Sequence, residues 1–281
     1  MQNLGYYNGK FGPLEEMTIP MLDRACYFGD GVYDASYSRN YKIFTLDEHV
    51  DRFYNSARLL DMQITRPKEE LIAILYEMLN KMDTGENFVY WQATRGTAIR
   101  NHAYPDAEEV KANLLIMIRP ADVVPLDTKV KLITMEDTRF LHCNIKTLNL
   151  LPSCMAAQKA TLAGADEVIF HRDGRVTECA KSNCHIIKGG VFITAPTDNL
   201  ILPGIARQNL IKACKAIDIP VSETPYTLND VFAADEVLIS SVGSFGLVAE
   251  SVDGKPVGGR APELIAKLHG YLWNQFIEAT K

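Results

Sequence analysis

No stretch of this sequence approaches the roughly 20 consecutive apolar residues that a membrane-spanning helix needs; the densest run, Leu114 to Ile118, has five. The amino-terminal segment, Met1 to Lys10, is polar and lacks the apolar centre of a secretory signal. Its six cysteines include no C-x-x-C pair, which argues against a zinc site and a disulfide framework and fits reduced thiols in a cytoplasm. Basic residues are outnumbered, 29 Lys and Arg against 35 Asp and Glu, for a formal charge of −6. That balance argues against a nucleic-acid or anionic-membrane partner, but it leaves room for a small anionic substrate in a local basic pocket. Internal repeats and low-complexity segments are also missing. What remains is an ordinary globular composition over 281 residues, long enough for two cores.

The order of elements predicts an α+β protein. Leu4 to Phe11 reads as a hairpin turning at Asn8-Gly9. Asp23 to Asp34 contains two glycines around Asp30 and leads into a β-rich run. Thr45 and Glu48 have the spacing of a capping box, opening a helix with Val50, Phe53, Tyr54, Ala57 and Leu60 on one stripe. A second helix follows Pro67, then strands at Phe88–Arg95 and Asn113–Arg119. Two prolines, Pro120 and Pro125, mark a linker. The expected division is a small α+β domain at 1–120, a linker at 121–125 and a larger, barrel-like α+β domain at 126–281.

Four features carry candidate chemistry. Lys146 sits among Ile145, Leu148, Leu150 and Leu151. A buried ammonium is costly, and lysines so placed serve as amines in Schiff-base chemistry; alternatively the stem reaches solvent. Glu178 ends a strand before small and polar residues, and by itself reads as a solvated carboxylate. Gly204-Ile205-Ala206 heads a helix and Ser241-Val242-Gly243 forms a small-residue turn, two seats with backbone amides for an anion. Arg95, Arg100 and His102 crowd one loop, either a carboxylate trap or a solvated basic turn. Arg52 lies off the apolar stripe of its helix and by periodicity alone faces water.

The segments DRACYFGDGVYD, TLDEHVDRFYNSA, QATRGTAIRNH, CNIKTLNLL and VTE followed by SN, in this order, resemble the fold-type IV pyridoxal phosphate enzymes. Within that group they are most similar to the D-amino-acid aminotransferases, over Tyr7 to Lys255. CNIKTLNLL and the arginine-x-histidine loop are the specific parts of the resemblance; the glycine-rich pieces are shared more widely. The resemblance implies pyridoxal 5'-phosphate as cofactor and D-amino acids and 2-oxo acids as substrates. Lys146 would hold the cofactor covalently and shuttle the substrate α-proton, and Glu178 would face the pyridine nitrogen and keep it protonated. Arg52, the Ile205 and Ala206 amides, Ser241 and Val242 would hold the phosphate, and Leu202 would pack on the ring. Tyr33, Arg100 and His102 would hold the substrate carboxylate, with the arginine and histidine supplied by a second subunit, implying a homodimer with shared active sites.

This chain departs from the pattern in three places. Ala206 and Val242 stand where hydroxyl residues are usual, removing two side-chain donors to phosphate. Lys181 is an added cation, directed either to the substrate or to solvent. Rival readings within the fold are a branched-chain L-amino-acid aminotransferase, an aminodeoxychorismate lyase and an (R)-selective amine transaminase. From another class comes a cofactor-binding homologue without turnover. The Arg100-x-His102 pair favours the D-specific reading.

Overall fold

A computed structural model describes residues 2–281. The chain divides into two compact units. One runs through Asp122 and takes in Ile145–Asn149 and Glu278–Lys281; the other comprises Val123–Asn144 and Leu150–Ile277. The lysine-bearing stretch and the last four residues therefore pack with the first unit, although both lie within the 126–281 span expected for the second domain.

In the first unit, strands β1 (Leu4–Tyr7) and β2 (Lys10–Gly12) are joined by Asn8 and Gly9, whose φ values of 46° and 93° make the tight turn that this dipeptide favours. A five-residue helix α1 (Arg24–Phe28) is capped by Asp23 and ended by Gly29 at φ 60°. Strands β3 (Gly31–Arg39) and β4 (Lys42–Ile43), helices α2 (Leu46–Leu59) and α3 (Lys68–Leu79), and strands β5 (Asn87–Thr94) and β6 (Asn113–Pro120) follow. All strand pairs are antiparallel, in the order β2-β1-β6-β5-β3-β4. Val50, Phe53 and Ala57 of α2 and Leu71, Leu75 and Met78 of α3 share one core with Val89, Trp91, Ile116 and Ile118 of the sheet. The capping box at Thr45 does not form. Thr45 takes φ 48°, its side chain makes no cap bond, and only its carbonyl enters the helix, accepting from the His49 amide.

The second unit contains β7 (Lys129–Glu136), α4 (Leu151–Leu162), β8 (Glu167–Arg172), β9 (Arg175–Cys179), β10 (Asn183–Lys188), β11 (Val191–Thr194), α5 (Ile205–Ala216), β12 (Val221–Glu223), α6 (Leu228–Ala233), β13 (Glu236–Ser240), β14 (Leu247–Val252), β15 (Lys255–Pro256) and α7 (Pro262–Ala279). Its nine strands follow the order β12-β11-β10-β13-β14-β7-β8-β9, with β15 beside β14. Strands β9 and β10 are five positions apart in that order, a distance of roughly 24 Å across a flat sheet. Yet only Ala180, Lys181 and Ser182 connect them, a link that spans at most about 14 Å. The sheet must curl to bring its edge strand back toward β10, giving the barrel-like form. A capping box does occur here, at Thr227 and Asp230 of α6, where aspartate takes the place of the more usual glutamate. No helix among the described residues is long and apolar enough to cross a membrane.

Candidate active site

The lysine is positioned by an unfinished sheet edge. β4 covers β3 only at Ser38 and Arg39, which leaves the Gly31–Tyr33 end of that edge open. The Ile145–Asn149 stretch closes it: the Tyr33 amide donates to Lys146 O at 3.0 Å, the Leu148 amide to Gly31 O at 3.1 Å, and Val32 bridges Thr147. The Lys146 amide in turn donates to Ser56 Oγ of α2 at 3.3 Å. Both main-chain groups of the lysine are thus bonded. Gly31 permits the approach, since a Cβ there would lie 2.5 Å from Ala93 O and 2.8 Å from Leu148 Cδ1.

An apolar sequence around Lys146 does not become an apolar envelope. In the extended segment Ile145 and Thr147 turn inward and are buried, Leu151 is 71% exposed, and Lys146 itself is half-buried. Its ammonium lies 4.3 Å from the centre of the Tyr33 ring, a cation–π contact in place of aliphatic packing. Tyr33 stacks on Tyr90 with ring centres 5.4 Å apart, and Tyr90 Oη donates to Gln92 Oε1.

On the opposite face of β3, Asp34 is fully buried. Arg52 grips it with two parallel bonds, Nε to Oδ2 at 2.9 Å and Nη2 to Oδ1 at 2.8 Å. His49 Nδ1 donates to Asp34 Oδ1 at 2.7 Å, which requires the proton to sit on Nδ1. Burial would raise the Asp34 carboxyl, but Arg52 and His49 overturn it and hold the group well below the usual carboxylate range. Burial pushes His49 down, assisted by the charges of Arg52 and Lys146, so the imidazole is neutral. The solvated arginine expected from helical periodicity is therefore part of an ion pair with its side chain only 10% exposed.

Arg100 and His102 are exposed and converge on one aromatic ring. The Arg100 guanidinium lies 5.0 Å from the Phe28 centroid, and the His102 ring 5.2 Å from it. Among the described residues no hydrogen bond, ion pair or ring contact joins either of them to Lys146 or Tyr33.

The other expected site residues form a second group built around Glu178. This carboxylate is buried at the end of β9. Arg139 Nη1 donates to Oε1, while Oε2 accepts from Asn183 Nδ2 at 3.0 Å and the Leu202 amide at 3.1 Å. Arg139 is fixed by a bidentate pair with Asp137, at 3.0 and 2.8 Å. Burial pushes Glu178 up to about 7, against the pull of Arg139 and the Leu202 amide. Asn183 also donates to Leu202 O at 3.0 Å and pairs with Ser240, so it ties the turn before α5 to the end of β13. α5 begins at Ile205 with Gly204 as its cap and no side-chain cap bond, leaving the Ile205 and Ala206 amides outside the helical ladder. Ser241 Oγ and Ser244 Oγ are 2.7 Å apart in the turn after β13, where Val242 is half-buried. Lys181 is exposed in the link between β9 and β10.

Sequence reasoning missed Arg139, Asn183, Asp34 and His49. Asn183 had a signal, five residues after Glu178 in a strand start; Arg139 and Asp137 showed only as an acid and a base after β7. Taken group by group, the residues fit the chemistry of pyridoxal phosphate: in the first unit Lys146 is an amine of the kind its carbonyl takes, and in the second Glu178 is an acceptor suited to a ring N–H and the α5 start offers amides suited to a phosphate. Glu178 already accepts three bonds of the roughly four a carboxylate can take, so one acceptor position remains for a ring N–H.

The amino-transferase class IV family matches residues 31–248. The chain belongs to the class IV aminotransferases. It is 42% identical to a D-alanine aminotransferase of Listeria monocytogenes serotype 4b over 94% of this chain and 93% of that one. A branched-chain amino acid aminotransferase from T.th., solved with pyridoxamine 5'-phosphate, superposes with a TM-score of 0.88 at 25% identity, covering 97% and 94% of the two chains. A putative 4-amino-4-deoxychorismate lyase of Legionella pneumophila shares the fold, with a TM-score of 0.84 at 23% identity and coverage of 93% and 97%. The α+β, fold-type IV architecture and the aminotransferase activity expected from the sequence are borne out, in a family that uses pyridoxal phosphate.

Proposed function

We propose that this aminotransferase moves an amino group between a D-amino acid, such as D-alanine, and a 2-oxo acid, such as 2-oxoglutarate, in two half-reactions with pyridoxal 5'-phosphate. The observation that carries the D-amino-acid reading is the convergence of Arg100 and His102 on Phe28, a guanidinium and an imidazole held on one ring. Guanidinium binds a carboxylate bidentately, and anchoring it fixes which face of Cα presents its proton. Similarity to D-alanine aminotransferases over nearly the whole chain supports the same reading.

When bound, the cofactor supplies an electron sink for negative charge at the substrate Cα. Lys146 would hold it covalently and move the α-proton, its main chain already fixed against β3 and Ser56. Glu178 would hold a proton at the ring nitrogen, with Arg139 and Asn183 setting the carboxylate plane. Leu202 would pack on the ring, and the Ile205 and Ala206 amides, Ser241, Val242 and Arg52 would hold the phosphate. Tyr33 would join Arg100 and His102 at the substrate carboxylate, and Lys181 would lie at the edge of the substrate site.

The active form in this reading is a cytoplasmic homodimer of two-domain chains, with Arg100 and His102 serving the neighbouring subunit. The apolar surface beside that loop supports it: Ile99 is 81% exposed and Met21 88%. Adding D-alanine to the yellow holoenzyme should convert its absorbance to the pyridoxamine form, while L-leucine should leave it unchanged. The reverse pattern would replace the D-specific reading with a branched-chain one.

A further inference from the structure

Nothing in the backbone ladder holds the Arg100–His102 loop in place. Among the described residues, no main-chain to main-chain hydrogen bond is made between positions 99 and 105. The order of the loop comes from side chains, and chiefly from Arg24 of α1. Arg24 is buried, its side chain only 3% exposed. Nε is fixed on Asp30 Oδ2 at 2.7 Å, and Nη1 donates to Asn101 O at 2.7 Å and reaches Ala103 O at 3.4 Å. Those two carbonyls bracket His102. The Arg24 guanidinium also lies 4.9 Å from the Phe28 centroid, on the ring that Arg100 and His102 share.

Asp30 serves two arginines. Arg95 Nε donates to both of its oxygens at 3.0 Å, and the Arg95 nitrogens Nη1 and Nη2 reach Asp61 O and Leu60 O. Tyr104, at the far end of the loop, stacks on Arg95 at 3.5 Å. The loop is thus gripped at Asn101 and Ala103 by one arginine and at Tyr104 by the other, both referred to the same aspartate.

We propose that Arg24 is a positioning residue for substrate-carboxylate recognition, acting through the main chain on either side of His102 and through Phe28. This rests on the assignment of Arg100 and His102 to the substrate carboxylate. Lysine replaces it only in part: a single ammonium keeps the charge beside Asp30 but lacks the fork that reaches Asp30 and both carbonyls at once. A loop displaced by about 1 Å presents Arg100 and His102 out of register with the carboxylate, which weakens binding more than turnover.

The test is steady-state kinetics of the holoenzyme with D-alanine for Arg24→Met, Arg24→Lys, Arg100→Met and the Arg24→Met/Arg100→Met double variant. Arg24→Met should raise KM about tenfold with kcat within about twofold, and should add only about threefold to KM once Arg100 is gone, the share that reaches the carboxylate through His102. Arg24→Lys, which keeps the charge beside Asp30, should raise KM about threefold with a Tm near that of the parent, and it decides the matter if the methionine variant does not fold. Independent multiplication of the two losses, an equal fall in kcat, or an unchanged KM in both Arg24 variants overturns the proposal. If the parent enzyme rejects D-alanine, the D-specific reading fails by itself. The same cycle is then run on the amino acid the parent accepts, because the hold of Arg24 on the loop does not depend on the enantiomer.

Discussion

Gly204 and Asn183 are packed so closely that a Cβ on the glycine would lie 2.1 Å from Asn183 Oδ1. A flexible side chain would simply move. Asn183 is not free to do so, because its Nδ2 is committed to Glu178 Oε2 and Leu202 O. Gly204→Ala should therefore cost about 1–3 kcal/mol by overpacking and lost hydrogen bonds. In the Asn183→Ala background, where room has been made, the same change should cost much less. Urea unfolding of the four proteins measures this, and equal costs in both backgrounds would show that the contact is slack.

The elements that were legible in the sequence are those set by local rules. Asn8-Gly9 supplies consecutive positive φ values, so the first hairpin could be read directly, and Asp173-Gly174 turns between β8 and β9 by the same local rule. The helices announced themselves by period, from Val50 to Ala57 and from Leu71 to Met78. What could not be read depends on distant partners. Lys146 joins the first unit because β4 is too short to cover β3, and Glu178 meets Arg139 across 39 residues. Arg52 broke the helical period because Asp34, on a neighbouring strand, offered a buried charge that needed pairing.

That pairing should dominate the response to Arg52→Ala. Losing one partner of a buried ion pair typically costs about 3–5 kcal/mol, because the remaining charge is stranded. His49 offers partial relief. With the opposing Arg52 charge gone, the imidazole can take up a proton and pair with Asp34, so the folded-state affinity of His49 for protons rises. The loss should consequently be largest near pH 8 and shrink toward pH 6. Denaturant midpoints for parent and variant across that range test it; a small, pH-independent loss would mean that water replaces the arginine.

His185 gives a second pH signature, of opposite origin. It is fully buried, with Nδ1 against Thr194 Oγ1 at 2.9 Å and Nε2 against Ser240 Oγ at 2.8 Å. Burial, with the Arg207 charge, lowers it from 6.5 to about 3. The unfolded chain takes up this proton near pH 6.5, whereas the folded chain does so only near pH 3. Its contribution is complete above the first value, falls with decreasing pH and is exhausted at the second, a total on the order of 5 kcal/mol. His185→Gln removes the titration, so the stability difference between parent and variant should narrow as pH falls from 8 to 4.5. A constant difference would mean that His185 takes up its proton as readily in the folded chain as in the unfolded one.

The proposed phosphate cup makes the last prediction, because two of its residues, Ala206 and Val242, have no hydroxyl where the resemblance implies one. Ala206 is buried in the first turn of α5 and Val242 is half-buried in the turn after β13. Of the nearby serines, Ser241 and Ser244 bond each other at 2.7 Å, so one of their two hydroxyl protons is already used. A charge-assisted bond to an anion contributes about 1.5–3 kcal/mol. Ala206→Thr with Val242→Thr should then tighten pyridoxal phosphate binding by at least about a hundredfold, and each single change by at least about tenfold. The measurement is a spectrophotometric titration of the cofactor-free protein, with inorganic phosphate as competitor to separate a phosphate effect from one at the ring. Equal cofactor affinity in parent and double variant would mean that the helix amides and water already satisfy the phosphate, and that the missing hydroxyls cost nothing.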